Sequence, residues 1–216
     1  MKLRVLIASC LLLLPAASLQ VFAQKPKRIV RDNLIISDAL PKIKVKVSDN
    51  FKYVGKFNFK IRNVAAGERL VFIESKDKNV KRLFIAQFEG FMPHIDDFYR
   101  YSFENALDLG GFKFRQNTYA YSNKTARTEN PAGEGVLTED FLKGSGYELE
   151  DELMMSRFVT VAGDDKKHEL ILYYLENVSE TGAALKDLYK NDEPTDIWIE
   201  ISKGLKARSL ASFTVR

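Results

Sequence analysis

IKVKVSDNFKYVGKFNFKIR, residues Ile43 to Arg62, alternates in polarity with hardly a break. Ile43, Val45 and Val47 share one phase, and Lys42, Lys44 and Lys46 the other. After Ser48-Asp49-Asn50 the pattern resumes. Phe51, Tyr53, Phe57, Phe59 and Ile61 fall in phase with Gly55, and Lys52, Lys56, Lys60 and Arg62 in the opposite phase. Period-two alternation predicts two strands, each with one face against a core. A three-residue link predicts that the two strands pair as a hairpin, although the link lacks the usual glycine.

Such a ribbon would gather Lys42, Lys44, Lys46, Lys52, Lys56, Lys60 and Arg62 on one surface. Neighbouring strands lie about 4.8 Å apart, inside the ~8 Å screening length of physiological salt. The cations would therefore repel one another. Three arrangements accommodate them. The face is a solvated edge that discourages sheet-to-sheet aggregation. Or it is neutralised internally by residues 128–152, which carry eight acids against Lys143 alone. Or it docks an external anion: an acidic polysaccharide, lipid headgroups or an acidic protein. Nucleic acid is disfavoured, because the aromatics point inward rather than out among the lysines where bases could stack.

The overall charge of +4 conceals this asymmetry. Residues 24–62 hold eleven Lys/Arg against three Asp, whereas the remainder of the chain is net acidic. The first residues read as an export signal: Lys2 and Arg4, an apolar run from Val5 to Leu14, then Val21-Phe22-Ala23 with small residues where a signal peptidase needs them. Cleavage after Ala23 would release the chain to the periplasm or the exterior. The apolar run is shorter than the ~20 residues of a membrane span and meets Pro15, so no transmembrane span is expected in the mature chain. The only cysteine, Cys10, lies in this leader, so thiol catalysis, thiolate metal ligation and disulfides are excluded from the mature protein. Its stability must come from a core, and its length suffices to bury roughly 70% of the unfolded surface.

Residues 24–41 are basic, contain Pro26 and Pro41, and predict an extended lead-in to a single domain over 42–216. Further strands are predicted at Arg69–Glu74, Val80–Phe91, Tyr119–Tyr121, Phe158–Val161 and Glu169–Leu175. Leu70–Ile73 and Leu83–Ala86 are apolar in both phases, which marks central, doubly covered strands. Ile95, Tyr99, Phe103 and Leu107 form one helical stripe, so residues 94–108 predict a helix that stops at Gly110-Gly111. Short helices are predicted near Thr138–Gly144 and Ala183–Tyr189, and a last one from Pro194 carries Trp198, Ile201 and Leu205. This pattern predicts an α+β domain with a mainly antiparallel sheet and two to four helices. A β-sandwich or barrel with added helices is the alternative.

The catalytic inventory is thin. His94, Asp96 and Asp97 could offer a nitrogen and two carboxylates to a cation, but a metal site needs three or four ligands and adjacent acids also start helices. No serine-hydrolase elbow, phosphate loop or cofactor fingerprint is present, so no cofactor is expected and the class indicated is a binding domain rather than an enzyme. Ser122–Gly135 is the longest polar stretch and predicts a mobile lid. Tyr99, Tyr101, Phe103, Phe112, Phe114, Tyr119 and Tyr121 flank it and could line an apolar pocket, that of a small-ligand carrier or of an unclassified hydrolase. The same aromatics would serve equally as core. Asn123-Lys124-Thr125 and Asn177-Val178-Ser179 match the glycan acceptor triplet, the first of them inside the expected lid.

Overall fold

The computed structural model describes residues 28–216. The expected leader, its cleavage point and the start of the lead-in lie outside the described residues. The chain runs β1 (Arg28–Arg31), β2 (Leu34–Ser37), β3 (Ile43–Val47), β4 (Lys52–Ile61), β5 (Ala65–Lys76), β6 (Asn79–Phe91), β7 (Leu107–Leu109) and β8 (Phe112–Ser122). It continues through α1 (Asn123–Glu129), α2 (Glu134–Gly144), β9 (Glu152–Ala162), β10 (His168–Asn177), α3 (Leu185–Leu188), the two-residue pair β11 (Tyr189–Lys190) and β12 (Glu193–Pro194), α4 (Asp196–Ala211) and β13 (Phe213–Val215). This is an α+β fold of antiparallel sheets with no closed barrel. Among the described residues, no helix is long and apolar enough to cross a membrane.

Seven strands form the large sheet in the order β4-β5-β6-β10-β9-β8-β7. Four form a small sheet in the order β1-β2-β3-β13. The expected β3–β4 hairpin is therefore absent: β3 pairs with β2 and β13, whereas β4, among the described residues, pairs with β5 alone. The three residues Ser48-Asp49-Asn50 do not reverse the chain within one sheet but carry it from one sheet to the other. Residues 28–37, expected as an extended lead-in, make the β1–β2 hairpin instead. Asp32 and Asn33 supply the two positive φ angles, 48° and 57°, that a tight two-residue turn requires.

One face of the large sheet packs against the small sheet and α4. Phe72, Phe84, Phe88, Phe114, Phe158, Leu170 and Leu172 meet Ile35, Val45, Val47, Trp198, Leu205 and Phe213 there, all buried. The rings interlock: Phe84 lies 5.6 Å from Phe213 and 6.1 Å from Phe72, centroid to centroid. The other face is covered by α2, by residues 147–149 and by an irregular strap, residues 92–106.

That strap replaces the helix expected over 94–108. The competing alternation of Tyr99, Tyr101 and Phe103 decides the conformation. Tyr99 and Tyr101 both reach the sheet face, which an extended backbone permits and a helix, placing i and i+2 on different sides, does not. Gly110-Gly111 turns the β7–β8 hairpin rather than ending a helix, with φ of 60° and 82°. The expected lid is also shorter than it looked: Ser122 caps α1, accepting a hydrogen bond from the Thr125 amide. Both glycan triplets are occluded. Asn123 donates to the Glu150 carbonyl at 2.9 Å, and Asn177 to the Val80 carbonyl at 3.0 Å.

Candidate functional site

The α2 side of the large sheet changes character along its strands. On β5 the positions facing α2 run Ile73, Val71, Arg69. On β6 they run Leu83, Ile85, Gln87, Glu89; on β10, Leu175, Tyr173, Ile171, Glu169; on β9, Leu153, Met155, Arg157; on β8, Tyr121, Tyr119, Asn117. Cross-strand register aligns the change. Arg69 sits opposite Gln87, Glu89 opposite Glu169, and Arg157 lies between Tyr173 and Asn117. An apolar half therefore lies under α2 and a polar half under the strap.

A cavity of about 240 Å³ opens between α2 and the apolar half. Leu83, Ile85, Met155 and Leu175 supply its apolar floor, with Leu149 at its side. Tyr119, Tyr121, Tyr173 and Arg69 edge it, and Glu134, Gly135 and Thr138 of α2 close it. Arg69 is 5% exposed. Its Nε donates to Gln87 Oε1, and its Nη1 donates to the Glu134 carbonyl at 2.6 Å and to Thr138 Oγ1 at 2.7 Å. The guanidinium thus ties the first turns of α2 to the sheet, 5.1 Å from the Tyr173 ring centroid. Burial raises the phenol pKa values, that of Tyr119 to about 12 and those of Tyr121 and Tyr173 in the same direction, so all three hydroxyls stay protonated donors at neutral pH.

The polar half is a tyrosine–carboxyl network. Tyr99 donates to Glu89 Oε1 at 2.8 Å, and Gln87 donates to Glu89 Oε2. Glu169 is 2% exposed, and its Oε2 has no hydrogen-bond partner among the described residues. Burial first, and then the Glu89 charge opposite, hold its carboxyl above the usual range, so the pair keeps a proton. Tyr101 is pushed up to about 12 by burial and by Glu169. Arg157 stays charged despite burial, because Tyr173 and Tyr101 surround it with oxygen.

The residues singled out in the sequence fall elsewhere, and the single cationic face does not exist. Lys42 and Lys44 are exposed at the outer face of the small sheet, and Lys46 beside them pairs with Asp49. The β4 lysines are divided by a bulge: Tyr53 pairs with Phe72 and Gly55 with Val71, leaving Val54 as the extra residue. Gly55 accommodates it with φ of 148°, and any Cβ there would lie 3.2 Å from the Phe141 ring. Past the bulge the phase inverts. Lys52 stands on the α2 side and donates to Tyr147 OH at 3.3 Å. Lys56 stands on the opposite side and pairs with Glu68 at 2.9 Å, which Arg28 also engages. Lys60 borders an open groove of about 780 Å³ with Arg28, Glu68, Phe88 and His168, and Arg62 is in the turn after β4. This groove is larger than the cavity, but its deepest cation, Arg28, is already answered by Glu68. None of the seven cations is ion-paired to residues 128–152 among the described residues, so that segment is not their counter-charge.

Of the expected pocket aromatics, Tyr119 and Tyr121 edge the cavity. Tyr99 and Tyr101, stacked at 6.3 Å, belong to the polar half, and Phe103 packs on Tyr101. Phe112 and Phe114 face the small sheet and take no part. His94, Asp96 and Asp97 lie on the strap. Asp97 pairs with Arg100 at 2.7 Å and Asp96 approaches Lys167 at 3.8 Å. Among the described residues, no three His, Cys, Asp or Glu side chains group to hold a metal.

No family model matches the chain, and no curated protein or solved structure matches it. Sequence reading passed over Arg69, Gln87, Glu89, Arg157 and Glu169. Their signal was present: each sits two residues from a large apolar residue in the phase that a doubly covered strand buries.

Proposed function

We propose that this chain is a binding domain that takes a small, largely apolar ligand into the cavity under α2. The observation that supports it most is the composition of that wall: an apolar floor with a few convergent donors, the arrangement by which ligand sites combine affinity with orientation. The α2 helix is a suitable cover, because hydrogen bonds from one side chain, Arg69, tie its first turns to the sheet. Its release requires no strand to move. The domain acts outside the cytoplasm if the expected leader directs it there. A charge-driven surface is the weaker reading, since the cations that would form it are shared between two sheets and, on β4, between two sides.

The test is a methyl NMR titration with octan-1-ol, a neutral apolar probe. Shifts are expected at Leu83, Ile85, Met155 and Leu175 and not at Ile35 or Val45 on the opposite face. Saturable binding should disappear in Ile85→Trp, which fills the space. Shifts spread evenly over both faces, or none at all, would overturn the reading.

A further inference from the structure

We propose that the ligand of this cavity carries an anionic head, a small monocarboxylate whose head group lies against Arg69 and whose apolar body lies on Leu83, Ile85 and Met155. The inference rests on the cavity being a ligand site, as proposed above, and adds the chemistry of what fills it.

Arg69 carries the argument. A buried charge is ordinarily paired, because an uncompensated one loses its hydration with nothing in return. Arg69 makes no ion pair among the described residues. Every hydrogen bond it donates goes to a neutral acceptor: an amide oxygen, a backbone carbonyl and a hydroxyl. Glu89 is joined to it only through Gln87. Of its three nitrogens, Nε and Nη1 are engaged, and Nη2 has no partner among the described residues, on a side chain that forms part of the cavity wall.

The surroundings repeat the same preference. The Tyr119 and Tyr121 rings stand 6.3 Å apart at the cavity edge, and their hydroxyls are donors held protonated by burial. Glu134 is the one carboxylate residue on the wall, and its backbone carbonyl is the atom committed to Arg69. A wall rich in donors around an unmatched cation selects a carboxylate over an alcohol or amine of the same shape. The cavity of about 240 Å³ has room for about eight water-sized groups, which sets the body at a medium chain or a single ring.

The experiment is isothermal titration calorimetry of the full chain at neutral pH with two probes of equal length, octanoate and octan-1-ol. Octanoate should bind at least tenfold more tightly. Arg69→Gln should abolish that preference while octan-1-ol still binds, and Arg69→Lys should retain most of it. Should Arg69→Gln not fold, the double variant Tyr119→Phe/Tyr121→Phe keeps the guanidinium and should reduce the preference severalfold. Equal affinity for the two probes overturns the anionic head and leaves the apolar site standing. Binding of neither overturns both. A preference that survives Arg69→Gln, or one that the double tyrosine variant leaves undiminished where Arg69→Gln does not fold, overturns the head-group assignment alone.

Discussion

The two faces of the large sheet solve opposite problems. The face toward the small sheet is dry: phenylalanines from β5, β6, β8 and β9 interlock with aliphatics, Phe213 and Trp198, and a charged residue at its margin, Glu176, is fully answered. The face toward α2 tolerates an open space, an arginine with no counter-ion among the described residues, and two carboxyls set against each other. The first kind of burial maximises stability. The second sacrifices some, and buried polar groups that folding does not need are where binding chemistry is found. One sheet supports both because its side chains alternate, so a strand can be pure core on one side and a site on the other.

The contrast can be broken at several points. Truncating a ring on the dry face should cost most. Phe84→Ala is expected to lose about 3–5 kcal/mol by urea denaturation, because close-packed neighbours at Phe51, Phe72 and Phe213 cannot collapse into the space. A loss under about 1 kcal/mol would mean the face is not close-packed.

Glu176→Gln should cost about 1.5–3 kcal/mol, since it weakens two charge-assisted bonds to Arg208, at 2.8 and 2.7 Å. Burial opposes the Glu176 charge, but Arg208 and Tyr174 outweigh it and hold the carboxyl below its ordinary 4.5. Its contribution is therefore present above pH 4.5 and lost as pH falls through the lower folded value. Denaturation curves of wild type and variant should converge in acid.

Glu169→Gln on the other face should show the reverse sign. The folded value is raised from 4.5 to about 8, so this group's contribution is full below pH 4.5 and lost as pH rises through about 8. The variant should match wild type at pH 4 and exceed it at pH 9 by on the order of 1 kcal/mol. A destabilised variant at pH 9 would show that the ionised carboxylate is needed after all.

The smallest effect sharpens the comparison most. Leu83→Phe, growing into the cavity, should change stability by less than about 0.5 kcal/mol. The same enlargement at Leu172, on the dry face, should cost about 1–3 kcal/mol. Equal costs at the two positions would remove the distinction between the faces.

Much of the sheet was legible in the chain. The doubly apolar runs Leu70–Ile73 and Leu83–Ala86 became β5 and β6, and the expected strands Phe158–Val161 and Glu169–Leu175 fell within β9 and β10, because burial and polarity pattern are local properties. The last helix was legible for the same reason, its Trp198 and Leu205 both buried. The pairing of β3 with β4 was not. Alternation records the phase of each residue but not which sheet receives it, and the bulge at Val54 inverts that phase without interrupting the polarity pattern. The cavity was half legible. Tyr119 and Tyr121 were found because they are aromatic. Arg69 was not, because an arginine at an inward position resembles one at an outward position until the opposite face is known to be covered.

The bulge at Val54 chooses between two registers of one sequence. Paired regularly, without the bulge, the same residues would bring Lys52, Lys56 and Lys60 into a single stripe along an edge strand and swing Phe51 and Tyr53 away from the rings they now touch. Deleting Val54 would instead leave Lys52 and Lys56 three residues apart and still on opposite sides, so the extra residue and the bulge together keep the core intact.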